Sequence, residues 1–519
     1  MRIVAAAGAS DGESDRGIGR SIALLILVGC VLRLVLAAYV PLTPQEAYYW
    51  TWSQYPDWSY FDHPPLASYA IALSTAVAGQ TAFAIKLAAV AWSLGWNILW
   101  ARLASDMFGD RRVTFWSLAA LNLSILYVLY GVGATPDGPL LFGWIGTIWA
   151  VWRADRPENG HWWYAAGVFA GLALLGKYSA VLLLPVVGLF LLAVPQRRHW
   201  LLRRQPYLAA AIAALVFSPV IIWNAQHDWV SLAFQSSRRL NEMGVLKPRF
   251  VGLLLATQFL LLSPYLFGLS IAAGWRGARE WLALRARVDP RVLLLLLSAS
   301  VPLIVFGAAS FRTNSKVNWL MPAWWSLVIL GMHFSLANAG GHRRRMWGLS
   351  TSAMLLLAAI IAAAIPNLPL PGDLNIWSGW RGAAQHVDQA VAAERAMGRR
   401  AFVFSPNYKN SSLIWFHRPS QERTYAQDIV GRKALQYDYF PHTDDLEGAT
   451  GFLVLSNQAQ SAIDLDIVRP HFQSLERVMV FQVGAMGRGT RSVEIWRGAG
   501  YRGRPAAPPT HGPDDGEGG

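Results

Sequence analysis

The chain has 519 residues, of which 54% are hydrophobic and only 15% charged. Soluble domains average about 25% charged residues, so this balance excludes an ordinary soluble enzyme and points to a membrane protein. The formal net charge of +14 would suggest nucleic acid in a soluble protein. Here the basic residues follow the connections between apolar runs, which assigns them to membrane topology and excludes nucleic acid as a partner.

Residues 1–20 are polar, contain Gly and Ser, and are expected to form a disordered cytoplasmic arm. The run 21–40 is long and has no small-residue cleavage site, so it reads as an anchor rather than a cleaved signal. A helix needs ~20 apolar residues to span the hydrocarbon core. Ten further candidates follow, at 82–100, 114–132, 138–152, 162–176, 178–195, 207–223, 250–273, 292–310, 319–336 and 348–365. With the N-terminus inside, alternate connections carry Arg102, Arg111 and Arg112; Arg153 and Arg156; Arg197, Arg198, Arg203 and Arg204; and later Arg343, Arg344 and Arg345. The opposite connections hold Glu46, Asp57, Asp62, Asp137 and Asp228. Residues 41–80 form a long outer loop, in which Leu66–Leu73 reads as an interfacial helix; 224–249 and 311–318 are further outer loops. The single cysteine, Cys30, excludes an intrachain disulfide and a Cys-based zinc site.

Beyond Pro366 the composition turns to that of a soluble α/β unit, 366–501, on the outer side. A helix is expected over 380–397 and strands at 401–404, 451–455 and 478–481. The Pro-, Gly- and Asp-rich end, 502–519, reads as a disordered tail. The whole is therefore a mainly α, polytopic membrane protein of about eleven transmembrane helices, 21–365, with a C-terminal α/β domain.

Chemistry concentrates in the outer connections. Glu46 lies in Pro44-Gln45-Glu46-Ala47-Tyr48-Tyr49-Trp50 and Asp137 in Thr135-Pro136-Asp137-Gly138-Pro139. A carboxylate at a bilayer edge is costly and marks chemistry, although an acid at a helix start also caps free N–H groups. Tyr48 and Tyr49 could stack on a sugar or sit at headgroup level. Asp62-His63, after Tyr60-Phe61, could orient a phosphate, relay a proton or, with His227, hold a divalent metal, against plain interfacial hydrogen bonding. Lys177, Lys86, Arg238, Arg239 and Lys316 are outer-side cations that topology does not call for. They suit a phosphate leaving group, with snorkelling to headgroups as the alternative.

Jointly, Glu46-Ala47-Tyr48-Tyr49-Trp50, Tyr60-Phe61-Asp62-His63-Pro64-Pro65, Thr135-Pro136-Asp137, Gly176-Lys177-Tyr178, Asn224 to Trp229 and Lys316-Val317-Asn318-Trp319 resemble the C-type glycosyltransferase (GT-C) superfamily. Within it the chain is similar to bacterial relatives of the protein O-mannosyltransferases and to the lipid A aminoarabinose transferases, over roughly residues 20–335. The resemblance implies a polyprenyl-phosphate-linked sugar as donor, a lipid, glycan or protein hydroxyl as acceptor, and transfer at the outer face. It implies Glu46 and Asp137 as catalytic carboxylates and Lys177, Lys86, Arg239 and Lys316 around the donor phosphate. Gln45, Tyr48, Tyr49, Tyr60, Asp62, His63, Tyr178 and Asn318 would line the substrate loops. No cofactor is required; where relatives hold a metal, Asp62 and His227 are the matching residues. The family's first loop carries an Asp-Glu pair, and Gln45 stands at its first position, leaving the base to Glu46 with Asp137 in support. Single displacement would invert the anomeric centre.

The Ala-, Leu- and Arg-rich composition points to a bacterial inner membrane, with site and C-terminal domain in the periplasm. A secondary transporter would also explain many spans, but it places polar residues near the midplane in repeated halves, and no repeat is visible. A non-catalytic sugar-lipid-binding or assembly protein, or an oligosaccharide ligase on the same fold, completes the alternatives.

Overall fold

A computed structural model describes all residues except 1, 156, 242–245, 339, 366–378, 443–444, 457–464, 486–487 and 505–519. Within the described helices and strands, the side chains of 2–16, 157, 236–241 and 484–490 are left aside. The chain forms two compact units: one of residues 1–38, 58–70 and 86–360, the other of 39–57, 71–85 and 361–519. The helices in chain order are α1 (Arg2–Tyr39), α2 (Pro44–Ser53), α3 (Leu66–Ala78), α4 (Ala82–Phe108), α5 (Arg111–Leu123), α6 (Ile125–Val132), α7 (Asp137–Ala154), α8 (Trp162–Gly176) and α9 (Leu183–Ala193). They continue with α10 (Arg204–Gln226), α11 (Val230–Asn241), α12 (Pro248–Leu262), α13 (Pro264–Leu284), α14 (Pro290–Ser310), α15 (Met321–Ala337), α16 (Gly341–Ala364), α17 (Trp380–Ala396) and α18 (Tyr408–His417).

The first unit is a helical bundle. Among the described residues, six helices are long and apolar enough to cross a membrane, or up to nine if each of three bent pairs counts as one span. The expected run 114–132 breaks at Ser124, where α5 and α6 bend by 71°. The expected single span 250–273 is instead α12 and α13, bent by 112°. Its corner is Ser263, at φ 85°, whose Oγ accepts the N–H of Leu266 while Pro264 opens the next helix. A periodic apolar pattern cannot register such a corner, because both arms are equally apolar. The expected loop 224–249 contains α11, and helical backbone extends upstream to Arg2.

Lipid-facing and core-facing helices separate cleanly. Leu24, Leu27, Leu215 and Met354, on α1, α10 and α16, are more than half exposed. Trp96, Trp100, Trp144, Trp324 and Trp325 are buried at the bundle's centre. Hydrocarbon offers no hydrogen bonds, so buried polar atoms must pair inside the protein. The indole of Trp144 donates to Ser298 at 3.1 Å and that of Trp324 to Gln258 at 2.7 Å.

The second unit carries a five-stranded sheet in the order β2-β1-β3-β5-β4, where β1 is Ala401–Phe404, β2 Thr424–Tyr425, β3 Thr450–Leu455, β4 Ser474–Ala485 and β5 Arg488–Ala499. β1 pairs in parallel with β2 and β3, and β5 is antiparallel to β3 and β4. Its core holds Phe402, Phe404, Leu453 and Phe472. The helix expected at 380–397 and the strands at 401–404, 451–455 and 478–481 all lie on regular elements; α18, β2 and β5 have no counterpart among the expected ones. Most of the tail 502–519 lies outside the described residues, as does the start of the domain expected from 366.

Candidate active site

Asp137 is the first residue of α7 and is 1% exposed. Its carboxylate does not cap the helix. Oδ1 accepts the Lys177 ammonium at 2.8 Å, and Oδ2 accepts the Asn318 amide at 2.6 Å and, more weakly, the Thr135 hydroxyl at 3.4 Å. Three separate pieces of chain thus meet: the start of α7, the residue after α8, and the connection between α14 and α15. The Lys177 side chain is only 10% exposed and that of Asp137 2%. Two charges this deep persist only as a pair, since removing either leaves an uncompensated buried ion.

The sequence folds this way because of small residues. A Cβ at Gly176 would lie 2.7 Å from the backbone nitrogen of Leu140, so only glycine lets the end of α8 reach the start of α7. Gly143 plays the same part further along, where a Cβ would lie 2.5 Å from both the Phe169 carbonyl oxygen and the Ala173 nitrogen. The Lys177 backbone then turns extended, at φ −158° and ψ 137°, ending α8 and directing its side chain to Asp137. One of the three ammonium donors is spent on Asp137, leaving two for an anion.

The segment after Trp58 belongs to the same unit. The Tyr60 carbonyl accepts the Ser231 hydroxyl at 3.3 Å, the Asp62 carbonyl accepts the Gln235 amide at 2.8 Å, and Phe61 packs on Phe234 at 4.8 Å between centroids. The loop holding Asp62 and His63 is thus tied to α11. Tyr60 itself is fully buried. His227 stacks on Trp223 at 4.0 Å, and its Nδ1 engages the Trp223 carbonyl at 2.8 Å. Among the described residues, no group of three or more His, Cys, Asp or Glu side chains gathers to hold a metal ion. Asp62 and His227 belong to no such group. Lys86 is 1% exposed in this unit, Lys316 is exposed just before Asn318, and the Arg239 side chain lies outside the described residues.

Glu46 belongs to the second unit, at the third position of α2, and is fully buried. It completes a capping box: the Thr43 N–H and hydroxyl both donate to Oε2 at 2.9 Å, and the Glu46 N–H donates to Thr43 Oγ1 at 3.3 Å. Helix capping, the alternative role for Asp137, thus belongs to Glu46 instead. The Thr-x-x-Glu spacing at Thr43 and Glu46 is the sequence signal for it. Gln45 next to it is half-buried.

Tyr48 and Tyr49 do not present open rings to a sugar. Tyr48 is 1% and Tyr49 6% exposed; Tyr48 lies 4.7 Å from the Tyr408 ring, and its oxygen accepts the Gln436 N–H at 2.9 Å. Trp50 packs edge-on against Phe416. The aromatic run is the packing face of α2 on α18, a partner helix whose own short, mixed pattern gives no helical signal.

Residues 62–223 match the family model described as dolichyl-phosphate-mannose-protein mannosyltransferase. The chain is 26% identical over 438 residues to the lipid A galacturonosyltransferase RgtD of Rhizobium johnstonii, covering 83% of this chain and 90% of that one. It is 25% identical over 348 residues to the undecaprenyl phosphate-alpha-4-amino-4-deoxy-L-arabinose arabinosyl transferase 1 of Sodalis glossinidius, covering 60% and 56%. The fold matches crystal structures of ArnT from Cupriavidus metallidurans, in the apo state with TM-score 0.61 at 13% identity and bound to undecaprenyl phosphate with TM-score 0.60 at 15% identity. Each match covers 91% of this chain and 97% of the other. The resemblance read from the sequence motifs is borne out by these relatives, and the multi-pass membrane fold by the solved structures.

Proposed function

We propose that this chain, a membrane glycosyltransferase with the GT-C fold, moves a sugar from a polyprenyl-phosphate donor to a hydroxyl of lipid A or a related envelope glycolipid. The observation that carries the proposal is the buried Asp137–Lys177–Asn318 constellation. It is a rigid cation with donors to spare, held by a carboxylate that is itself fixed by two further donors. Such a device suits a leaving phosphate better than proton abstraction, because both Asp137 oxygens are already engaged. Lys177 receives the phosphate oxygen that departs from the anomeric carbon, and Asp137 keeps the ammonium aimed.

The acceptor hydroxyl then attacks the anomeric carbon from the opposite face. Its proton passes to water; the bond from the anomeric carbon to the phosphate oxygen breaks, and the electron pair leaves with the phosphate. One displacement inverts the centre. Holding donor and acceptor in line lowers the barrier by removing translational and rotational freedom beforehand. Lys86 and Lys316 supplement the cationic field, and Arg239 is the further candidate. The reaction runs at the periplasmic face of the bacterial inner membrane, with the domain after Pro366 on that side.

The test uses purified protein in lipid nanodiscs with lipid A and, separately, undecaprenyl phosphate carrying galacturonic acid or 4-amino-4-deoxy-L-arabinose. Lipid A gaining the mass of one sugar, with undecaprenyl phosphate released in equal amount, is the expected outcome. Binding of donor with no release of undecaprenyl phosphate, for either sugar, would favour the sugar-lipid-binding reading that Gln45 raises.

A further inference from the structure

Arg33 lies near the end of α1 and is 1% exposed, yet every partner of its guanidinium among the described residues is neutral. Nη1 donates to Asn122 Oδ1 at 2.7 Å and to the Gly29 carbonyl at 2.9 Å, and Nη2 reaches the Tyr127 carbonyl at 3.4 Å. Asn122 is fixed in turn, its amide donating to Asn97 Oδ1 at 2.8 Å. A long cationic side chain near the end of a span can snorkel to headgroups. Arg33 turns inward instead. A charge inside a membrane bundle is costly and is kept where it serves the site.

What Arg33 holds is α6. A Cβ at Gly131 would lie 2.4 Å from Arg33 Nε, so the last turn of α6 rests directly on the guanidinium. Nε is left without a hydrogen-bond partner as a result. An orphaned buried donor is unfavourable, and only close packing of α6 explains it here. The carbonyl end of α6 meets part of the charge, since a helix dipole favours a cation there.

From α6 two routes lead to the site. Along the chain, only Gly133-Ala134-Thr135-Pro136 separates its end from Asp137. Across the bundle, the Tyr127 hydroxyl donates to the Met321 carbonyl at 2.9 Å, at the start of α15 just after Asn318. Asn318 and Lys177 are the groups that engage the two Asp137 oxygens. We infer that Arg33 is a positioning residue of the phosphate site: by fixing α6 it sets Asp137 and Asn318, and through them the Lys177 ammonium. The inference rests on the role of Lys177 proposed above and extends the support of that cation to α1.

The experiment places Arg33→Met and Tyr127→Phe, separately, in wild type and in the Asp137→Asn, Lys177→Met double variant, all in nanodiscs. It measures affinity for undecaprenyl phosphate and, in its absence, melting temperature. In wild type, Arg33→Met should bind about ten-fold more weakly, and Tyr127→Phe should weaken binding in the same direction. In the double variant neither should cost further affinity, because nothing is left to position. Melting losses should likewise be less than additive with that of the double variant, a readout that needs no ligand. Unchanged affinity in both single variants would overturn the inference. So would a loss repeated in full in the double variant, which a merely structural role predicts. If Arg33→Met does not fold, Tyr127→Phe decides alone. A wild type that binds no undecaprenyl phosphate removes the donor reading instead, and additive melting losses would then still overturn the positioning.

Discussion

Asp137 and Lys177 are 2.8 Å apart and almost wholly enclosed, so each is the other's counter-ion. Lys177→Met or Asp137→Asn alone leaves one buried charge uncompensated and should destabilise by ~3–5 kcal/mol. The double variant removes both charges and should melt closer to wild type than either single variant, yet transfer no sugar. Thermal unfolding beside a transfer assay checks both halves; a double variant as unstable as the singles would deny the pairing. Glu46 calls for a different substitution. Glutamine also completes a capping box, so Glu46→Gln should keep the melting temperature, while Glu46→Ala should lose about 1 kcal/mol of stability. An alanine variant as stable as wild type would deny the cap. At this scale Asp137 and Lys177 are legible in the sequence, because charges beside prolines and glycines in apolar surroundings stand out. Ser298 and Gln258, which take the indole N–H groups of Trp144 and Trp324, are not, since single polar residues in apolar runs carry no pattern until the fold shows their partners.

Between elements, the site depends on how closely α7 and α8 approach. Gly176→Ala sets a methyl against the Leu140 backbone, which cannot yield as a flexible side chain would. The variant should lose ~1–3 kcal/mol from overpacking and should lose transfer as Lys177 moves from Asp137. A variant with wild-type transfer would show that the approach is not needed. Spans are legible as apolar runs, but the corners at Ser124 and Ser263 are not, because composition is uniform across them. In the second unit, Ala401–Phe404 and Gly451–Leu455 read as short apolar strands. In β5 the buried Val493 and Ile495 are interrupted by the likewise buried Ser492 and Glu494, so no continuous apolar run marks the strand. The Tyr48–Trp52 run reads as a ligand surface because aromatics at a membrane edge and aromatics between helices are indistinguishable without the partner α18.

For the whole molecule, pH should act through the second unit. Burial, the largest cause, and the neighbouring Asp428 carboxylate push the Asp438 carboxyl up to about 7, against the Ala434 N–H, Lys433 and Arg504. A folded carboxyl that keeps its proton to higher pH than the unfolded one binds more protons in between. Its contribution is therefore fully present below about pH 4 and is lost as pH rises through the folded value near 7. Asp438→Asn should melt higher than wild type at pH 8, by on the order of 1 kcal/mol, and equally at pH 4; equal melting at both would place the carboxyl in water. The central claim is that Lys177 receives the donor's phosphate, and the most direct measurement is the affinity of the nanodisc-embedded protein for undecaprenyl phosphate. Wild type should bind it, with Lys177→Met at least ten-fold weaker and the Asp137→Asn, Lys177→Met double variant equally weak despite its recovered stability. Wild-type affinity in the double variant would contradict the account, because the phosphate would then be held without the buried cation.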